Sequence, residues 1–336
     1  MARVLAYYDR VQCPFVISIG DSSRDDVREQ TKALIKTYQG KLTIEYTQCP
    51  HLNDSQTIKL LIDQVKTPYA VFIADDDFLV PNGLLACVNF LEQHPDYVAA
   101  HGRGMIFSLQ DSGVVGKLKE LGPYRLPILE QDTAAVRLLT HLTHYTVTLF
   151  AVHRTATWKM MYASIENIKD KRFTELVPCC LSVVQGKIKQ IECLYLLRQG
   201  HAARYLLPDS FDWLTSPQWQ ESYQQLLLVL SQGLMHQDNI TQAQGLDVVK
   251  QGFWCYLNRG LQARYQQKYA KPSTTTLMKE QLKKVPGVSQ ALGGINRLLT
   301  VDRSYQLAYL LNKQSVDYQD FKPLYDSIVT LAGEKS

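Results

Sequence analysis

Tyr69-Ala-Val-Phe-Ile-Ala-Asp75-Asp76-Asp77-Phe78 sets a short apolar run directly against three consecutive carboxylates. The run from Tyr69 to Ala74 has the length and composition of a buried strand, and the acids stand where that strand ends. In an extended chain residues i and i+2 point the same way, so Asp75 and Asp77 are expected to present their carboxylates to one point. Open α/β sheets bind ligands beyond the carboxyl ends of their strands, so position and chemistry agree. Hard oxygen ligands suit Mg²⁺ or Mn²⁺, which keeps several waters and takes one or two carboxylates plus phosphate oxygens. A diphosphate is the ligand this implies. The plain alternative is a solvated acidic turn ahead of the helix that Pro81 opens.

The surrounding sequence repeats the strand-then-helix rhythm of βαβ units around a largely parallel sheet. Upstream, Pro14 to Gly20 reads as a buried strand and Leu42 to Tyr46 as a second. Between them Ser22 and Ser23, with Asp25 and Asp26 three residues on, offer capping boxes for a helix through about Tyr38. Ser55 to Val65 follows as a helix with Ile58, Leu61 and Ile62 on one face. Downstream, the helix opened by Pro81 runs to about His94, and Asp96 to His101 is a further strand. Residues 109–130, with Gly113, Gly116, Gly122, Pro123 and Pro127, read as a long loop. A helix at Asp132 to Leu142, a strand at Val147 to Val152, a helix from Thr155, another near Phe173 to Val184 and a strand at Ile188 to Leu196 complete a first domain, 1–205. Residues 206–336 are Gln- and Leu-rich with helical periodicity, broken by Pro272 and Pro286.

Composition narrows the function classes. The 336 residues are 46% hydrophobic and 20% charged, which excludes dominant disorder, and the net charge of +4 gives no general case for nucleic acid. No apolar run approaches the roughly 18–20 residues of a membrane helix. Seven cysteines with no C-x-x-C pair suggest neither a disulfide framework nor a zinc knuckle, and the opening MARVLAYYDR has no signal-like apolar core. A reducing cytoplasm is the expected compartment, and the sequons at Asn53 and Asn239 then carry no glycan.

A second acidic turn, Gly20-Asp21-Ser22-Ser23, also stands at a strand's end. An Asp there can accept hydrogen bonds from a base or ribose, and simple helix capping is its plain alternative. The succession PFVISIGDSS, YAVFIADDDF, Phe173-Thr-Glu175-Leu and Arg198-Gln-Gly-His201 resembles the GT-A-fold glycosyltransferases, in particular a bacterial family-2-like group with Asp-Ser-Ser and Asp-Asp-Asp-Phe motifs. The resemblance covers roughly residues 4–205 and implies a GT-A α/β sandwich with a mostly parallel sheet, followed by a C-terminal helical region. It further implies that Asp21, Ser22 and Ser23 contact the nucleotide, and that Asp75, Asp76 and Asp77 serve the donor and a Mn²⁺ or Mg²⁺ ion. By the same resemblance Glu175 is the catalytic base, while Arg198 and His201 handle phosphates or metal, with Arg204 as a further candidate. The implied reaction is a metal-dependent, inverting transfer of a sugar from a nucleotide-diphosphate donor, UDP-sugar favoured, to a glycan, lipid-linked or protein acceptor. Members of that family carry a further strand and turn before the first helix. This chain opens at Met1-Ala-Arg3-Val, within that helix, so the expectation is either a start that lies further upstream or a base pocket with one wall shortened.

Residues 251–300 carry eight Lys or Arg against one acid, with Phe253, Trp254, Tyr256, Tyr265 and Tyr269 interleaved. That pattern suits peripheral contact with an anionic membrane face, or RNA by stacking and phosphate contact, and its plain alternative is a solvated helical face or an oligomer interface with aromatics in the core. His141 and His144 lie three apart on the expected helix with no third metal ligand in view. Two other functions fit the same sheet. A nucleotidyltransferase would carry a Gly-rich basic loop after its first strand, and none is present; a non-catalytic or degenerate GT-A-like binding protein would keep the sheet and lose the donor site.

Overall fold

In a computed structural model of the chain, which describes residues 1–110, 116–200, 209–269 and 302–329, strands and helices alternate through the first half as the sequence predicts. α1 (Ala2–Arg10) turns Val4, Leu5, Tyr7 and Tyr8 inward, and Tyr7 meets Phe78 edge to face at 5.5 Å. β1 (Ile17–Asp21) and β2 (Ile44–Gln48) pair in parallel, with α2 (Asp25–Lys36) as the crossover between them. The expected capping boxes at Ser22 and Ser23 do not form, because the Asp21 carboxylate takes the Ser23 N–H into a turn of its own at 2.9 Å. α3 (Asp54–Gln64) has the capping box instead, built from Asn53 and Gln56.

The second sheet contains β3 (Tyr69–Ala70), β4 (Phe78–Leu79), β5 (Tyr97–Leu109), β6 (Leu118–Tyr124), β7 (Val152–Arg154) and β8 (Lys187–Gln199). Their order is β3-β7-β5-β8-β4, with β6 added on β5. The long β5·β8 pairing is parallel and the remaining pairings in this sheet are antiparallel, so the sheet expected to be mostly parallel is mixed. The strand expected over 69–74 pairs only at Tyr69 and Ala70. Its ladder partner gives out there, because Ala151 N–H bonds Thr148 O in a turn that also shortens the strand expected at 147–152. The stretch 109–130 is not one long loop: it holds β6, whose Gly122 and Pro123 are tolerated because it pairs with β5 alone.

Helices cover this sheet. α4 (Pro81–Gln93) starts with its proline at the first turn and lies so close to β8 that a Cβ at Gly83 would stand 2.5 Å from Leu194 O. α5 (Ala134–Thr143), α6 (Thr155–Ala163) and α7 (Phe173–Gln185) bury a continuous core that also takes in α8 (Ser210–Leu214), α9 (Trp219–Asp238) and α10 (Gln242–Tyr269). At its centre Phe173 packs against Trp213 at 5.0 Å and Phe253 at 6.0 Å. The Asp238 carboxylate reaches from the end of α9 to accept from Ala134 N–H and Ala135 N–H, capping α5. After a 3₁₀ turn at Arg303–Tyr305, α11 (Leu307–Leu310) and α12 (Tyr318–Val329) return to pack beside α1 over Phe78 and Phe107, anchored by Arg103 on the Asp317 carboxylate at 2.6 Å. Pro272 and Pro286 lie outside the described residues.

The shared aromatic core has a measurable consequence. Phe253→Ala is expected to lower unfolding free energy by about 3–5 kcal/mol in a single urea transition seen alike by tryptophan fluorescence and far-ultraviolet circular dichroism. Two separated transitions, with only the one carrying the C-terminal helices shifted, would contradict a common core.

Candidate functional site

Antiparallel register builds the centre of the site. Phe78 lies opposite Leu197 and Leu79 opposite Leu196, so the residue before β4, Asp77, comes to the end of β8 beside Arg198 and Gln199. Its Oδ2 accepts from Arg198 Nε at 2.8 Å and its Oδ1 from Gln199 N–H at 2.8 Å. Burial pushes the Asp77 carboxyl above its ordinary range, against the opposing pull of Arg198 and these hydrogen bonds. The guanidinium of Arg198 also donates to Tyr124 Oη at 2.9 Å and lies 4.2 Å from the Phe150 ring centroid and 4.9 Å from that of Tyr124. A planar cation over two aromatic faces, with a carboxylate at its edge, is held in one orientation.

Glu175 stands in the first turn of α7, half-buried, and its Oε1 accepts from Tyr145 Oη at 3.1 Å. Burial raises its proton affinity above the usual glutamate range, while the Tyr145 hydrogen bond and the charges of Arg198 and Arg172 act the other way. Tyr145 is braced by Tyr256 of α10 at 5.2 Å, edge to face, and Arg172 by Trp213 of α8 at 4.4 Å. The local result is a carboxylate with enhanced basicity within the field of a fixed guanidinium.

Asp75 and Asp77 do not face one point, because the chain turns at Asp75 and Asp76 instead of staying extended, with Asp77 N–H bonded to Ala74 O at 3.3 Å. The Asp75 side chain is 73% exposed, 3.7 Å from the Met1 amino group, whereas Asp77 is 1% exposed. Asp76 offers its carbonyl to the Arg3 guanidinium at 2.7 Å. Both Asp77 oxygens are taken, one by a cation, and among the described residues no three His, Cys, Asp or Glu side chains converge on a point. His201 and Arg204 lie outside the described residues.

Asp21 forms a second, separate group. Its Oδ1 accepts from Ser23 N–H and its Oδ2 from Tyr46 Oη at 2.9 Å. Burial pushes the Asp21 carboxyl up, but the Ser23 and Tyr46 hydrogen bonds with the Arg28 charge bring it below its ordinary value, and Tyr46 is pushed up to about 12. Ser22 is exposed beside it. No hydrogen bond or ion pair joins Asp21, Ser22 or Ser23 to Asp77 or Arg198. A groove of about 980 Å³ is lined by Tyr46 with Glu45, Asp63, Lys66 and Lys159, and none of the Glu175 group lines it. Its bordering charges, Glu45 and Asp63 against Lys66 and Lys159, balance.

Tyr124, Tyr145, Phe150 and Arg172 were not legible as site residues in the sequence. No motif marks them: the hairpin β5–β6 brings Tyr124, the segment after α5 brings Tyr145 and Phe150, and Arg172 stands at the start of α7. His141 is fully buried, packed 5.1 Å from Tyr145 and with neither ring nitrogen partnered, and burial lowers it to about 3, so it is a core residue. Among the aromatics of the basic segment, Phe253 faces the core and Tyr256 packs on Tyr145, while Trp254 is 68% exposed; residues 270–300 lie outside the described residues. Among the described residues no helix is long and apolar enough to cross a membrane.

No protein-family model matches the chain, and no curated protein matches it by sequence. Among solved structures it is similar to the crystal structure of S. aureus TarS 1–349, with 14% identity and a TM-score of 0.45 over 97% of this chain and 84% of that one. The same S. aureus TarS 1–349 in complex with UDP gives 13% identity and a TM-score of 0.46 over the same shares. A longer S. aureus TarS chain gives 14% and 0.44, over 98% of this chain and 51% of that one. At this identity and TM-score the likeness assigns no activity to this chain.

The environment of Glu175 fixes the sign of two experiments. A carboxyl whose folded pKa is raised adds stability that is complete below its unfolded pKa and lost as pH rises through the folded one. Glu175→Gln is therefore expected to melt above wild type at pH 7, with the gap closing as pH falls below the ordinary glutamate range; a gap independent of pH in scanning calorimetry would refute the assignment. Tyr145→Phe removes a donor that favours the charged form, so the Glu175 carboxyl is expected to titrate at still higher pH, read from its infrared C=O band against Glu175→Gln as blank.

Proposed function

We propose that the protein is a glycosyltransferase that moves a sugar from a nucleoside-diphosphate donor to an acceptor hydroxyl with inversion. The observation that supports it best is a basic carboxylate, Glu175, lying within the electrostatic influence of the guanidinium of Arg198, which is fixed near the carboxyl end of β8. Transfer needs a base for the acceptor proton and positive charge for the departing diphosphate, and those two groups supply them. In the step proposed, Glu175 takes the acceptor O–H proton as the acceptor oxygen bonds the anomeric carbon. The bond from that carbon to the diphosphate oxygen breaks, and its electron pair leaves with the diphosphate facing Arg198. Attack opposite the leaving group inverts the anomeric centre.

Asp21 and Ser22 are the proposed contacts for the base, UDP favoured, since Asp21 stays anionic at the end of a strand. The acceptor is a glycan, a lipid-linked sugar or a protein hydroxyl. Exposed Trp254 and Tyr265 on α10, with basic neighbours such as Arg259, support peripheral contact with an anionic membrane face on the cytoplasmic side.

Calorimetric titration with UDP, GDP and CDP tests the donor site, and Glu175→Gln tests the chemistry. One nucleotide is expected to bind, with loss of binding in Asp21→Ala. Glu175→Gln is expected to keep donor affinity and lose about 10²–10⁴ in turnover. Unchanged function in Glu175→Gln would leave a binding protein as the better reading.

A further inference from the structure

The acidic turn departs from what a divalent cation needs, and the group that replaces the cation is identifiable. Asp77 is closed to solvent and both its oxygens are engaged, Oδ1 by Gln199 N–H and Oδ2 by Arg198 Nε. Beyond Asp77, Arg198 is held by its bond to Tyr124 Oη and by the rings of Phe150 and Tyr124. Mg²⁺ demands near-ideal octahedral oxygen coordination at about 2.0–2.1 Å. To reach Asp77 an ion would have to displace a charge-assisted hydrogen bond and lie beside the guanidinium as a second positive charge. Asp75 does not make up the loss, since the turn at Asp75 and Asp76 carries it outward to the Met1 amino group. A guanidinium keeps its charge at all working pH and presents a rigid fork of donors that matches phosphate oxygens.

We infer that the Arg198 guanidinium, held by Asp77, is the cation that meets the donor diphosphate, in the place a divalent ion takes in a carboxylate metal site, so that donor binding needs no metal. The ligand in this inference rests on the glycosyltransferase reading, while the occupancy of Asp77 stands apart from it. Arg198 leaves donors beyond those already used: Nε is on Asp77 and one terminal nitrogen on Tyr124, and its side chain remains 28% exposed.

The full chain, stripped with EDTA, is titrated with Mn²⁺ alone by calorimetry and electron paramagnetic resonance, then with UDP in EDTA and in Mn²⁺. No saturable Mn²⁺ site below millimolar concentration is expected, with UDP affinity equal in the two buffers. In Arg198→Lys that affinity should fall about tenfold or more, because the planar fork is lost. A one-to-one Mn²⁺ site that disappears in Asp77→Asn would overturn the inference, and so would UDP binding that appears only with Mn²⁺. Should Asp77→Asn fail to fold, Asp75→Asn at the exposed position and the wild-type titration decide the same question. Absence of binding by UDP, GDP and CDP in both buffers would overturn the transfer reading and remove the ligand from this inference, whereas Mn²⁺ binding overturns the inference alone.

Discussion

The contact between Asp77 and Arg198 is the constraint on which the arrangement of the site depends. A carboxylate at 1% exposure is costly unless it is paired and hydrogen-bonded, and Asp77 is both. The pair fixes the end of β8 against the acidic turn, and through Tyr124 it fixes the end of β6 as well. With β4 only two residues long, the backbone ladder alone is a weak tie, so the side-chain pair sets where Arg198 points. Removing one partner of such a pair leaves the other charge buried and unmatched, which costs more than the contact itself is worth.

Glu175 depends on a different part of the chain. Its base strength comes from burial, and the residues around it are braced by helices far along the sequence. Tyr256 of α10 holds Tyr145 against the carboxylate, and Trp213 of α8 stacks under Arg172, whose charge acts on Glu175. The C-terminal helices therefore take part in the site as well as in the core. Such an arrangement trades stability for reactivity: apolar packing that strengthens the fold around α7 also disfavours the charged carboxylate inside it.

Much of the fold was readable because helices and strands announce themselves by period. The helices at 81–93, 134–143 and 173–185 fall within a few residues of where apolar spacing put them. What could not be read is partnership. Whether Val71 to Ala74 forms a strand depends on a turn at Thr148–Ala151 that lies some 75 residues away, and β6 reads as loop because Gly122 and Pro123 reveal nothing of the β5 edge beside them. The same limit holds for the site. Asp21, Asp77, Glu175 and Arg198 carry chemistry in their residue types, but Tyr124, Tyr145 and Phe150 acquire theirs only from tertiary placement.

The expectation that Asp75 and Asp77 face one point breaks down for a local reason with a wider consequence. The period-two rule applies only while the chain is extended, and a strand that ends without a ladder partner has nothing to keep it so. Once the chain turns at Asp75 and Asp76, neighbouring carboxylates diverge, which also relieves their mutual repulsion. Asp75 faces water beside the Met1 amino group and Asp77 pairs with Arg198. Asp21, satisfied mainly by the neutral donors Ser23 and Tyr46 and held below its usual pKa, remains an anion without a cation hydrogen-bonded to it. The carboxylates therefore separate by what surrounds them: Asp21 is able to attract the N–H groups of a base, Asp77 to orient a cation, and Glu175 to accept a proton.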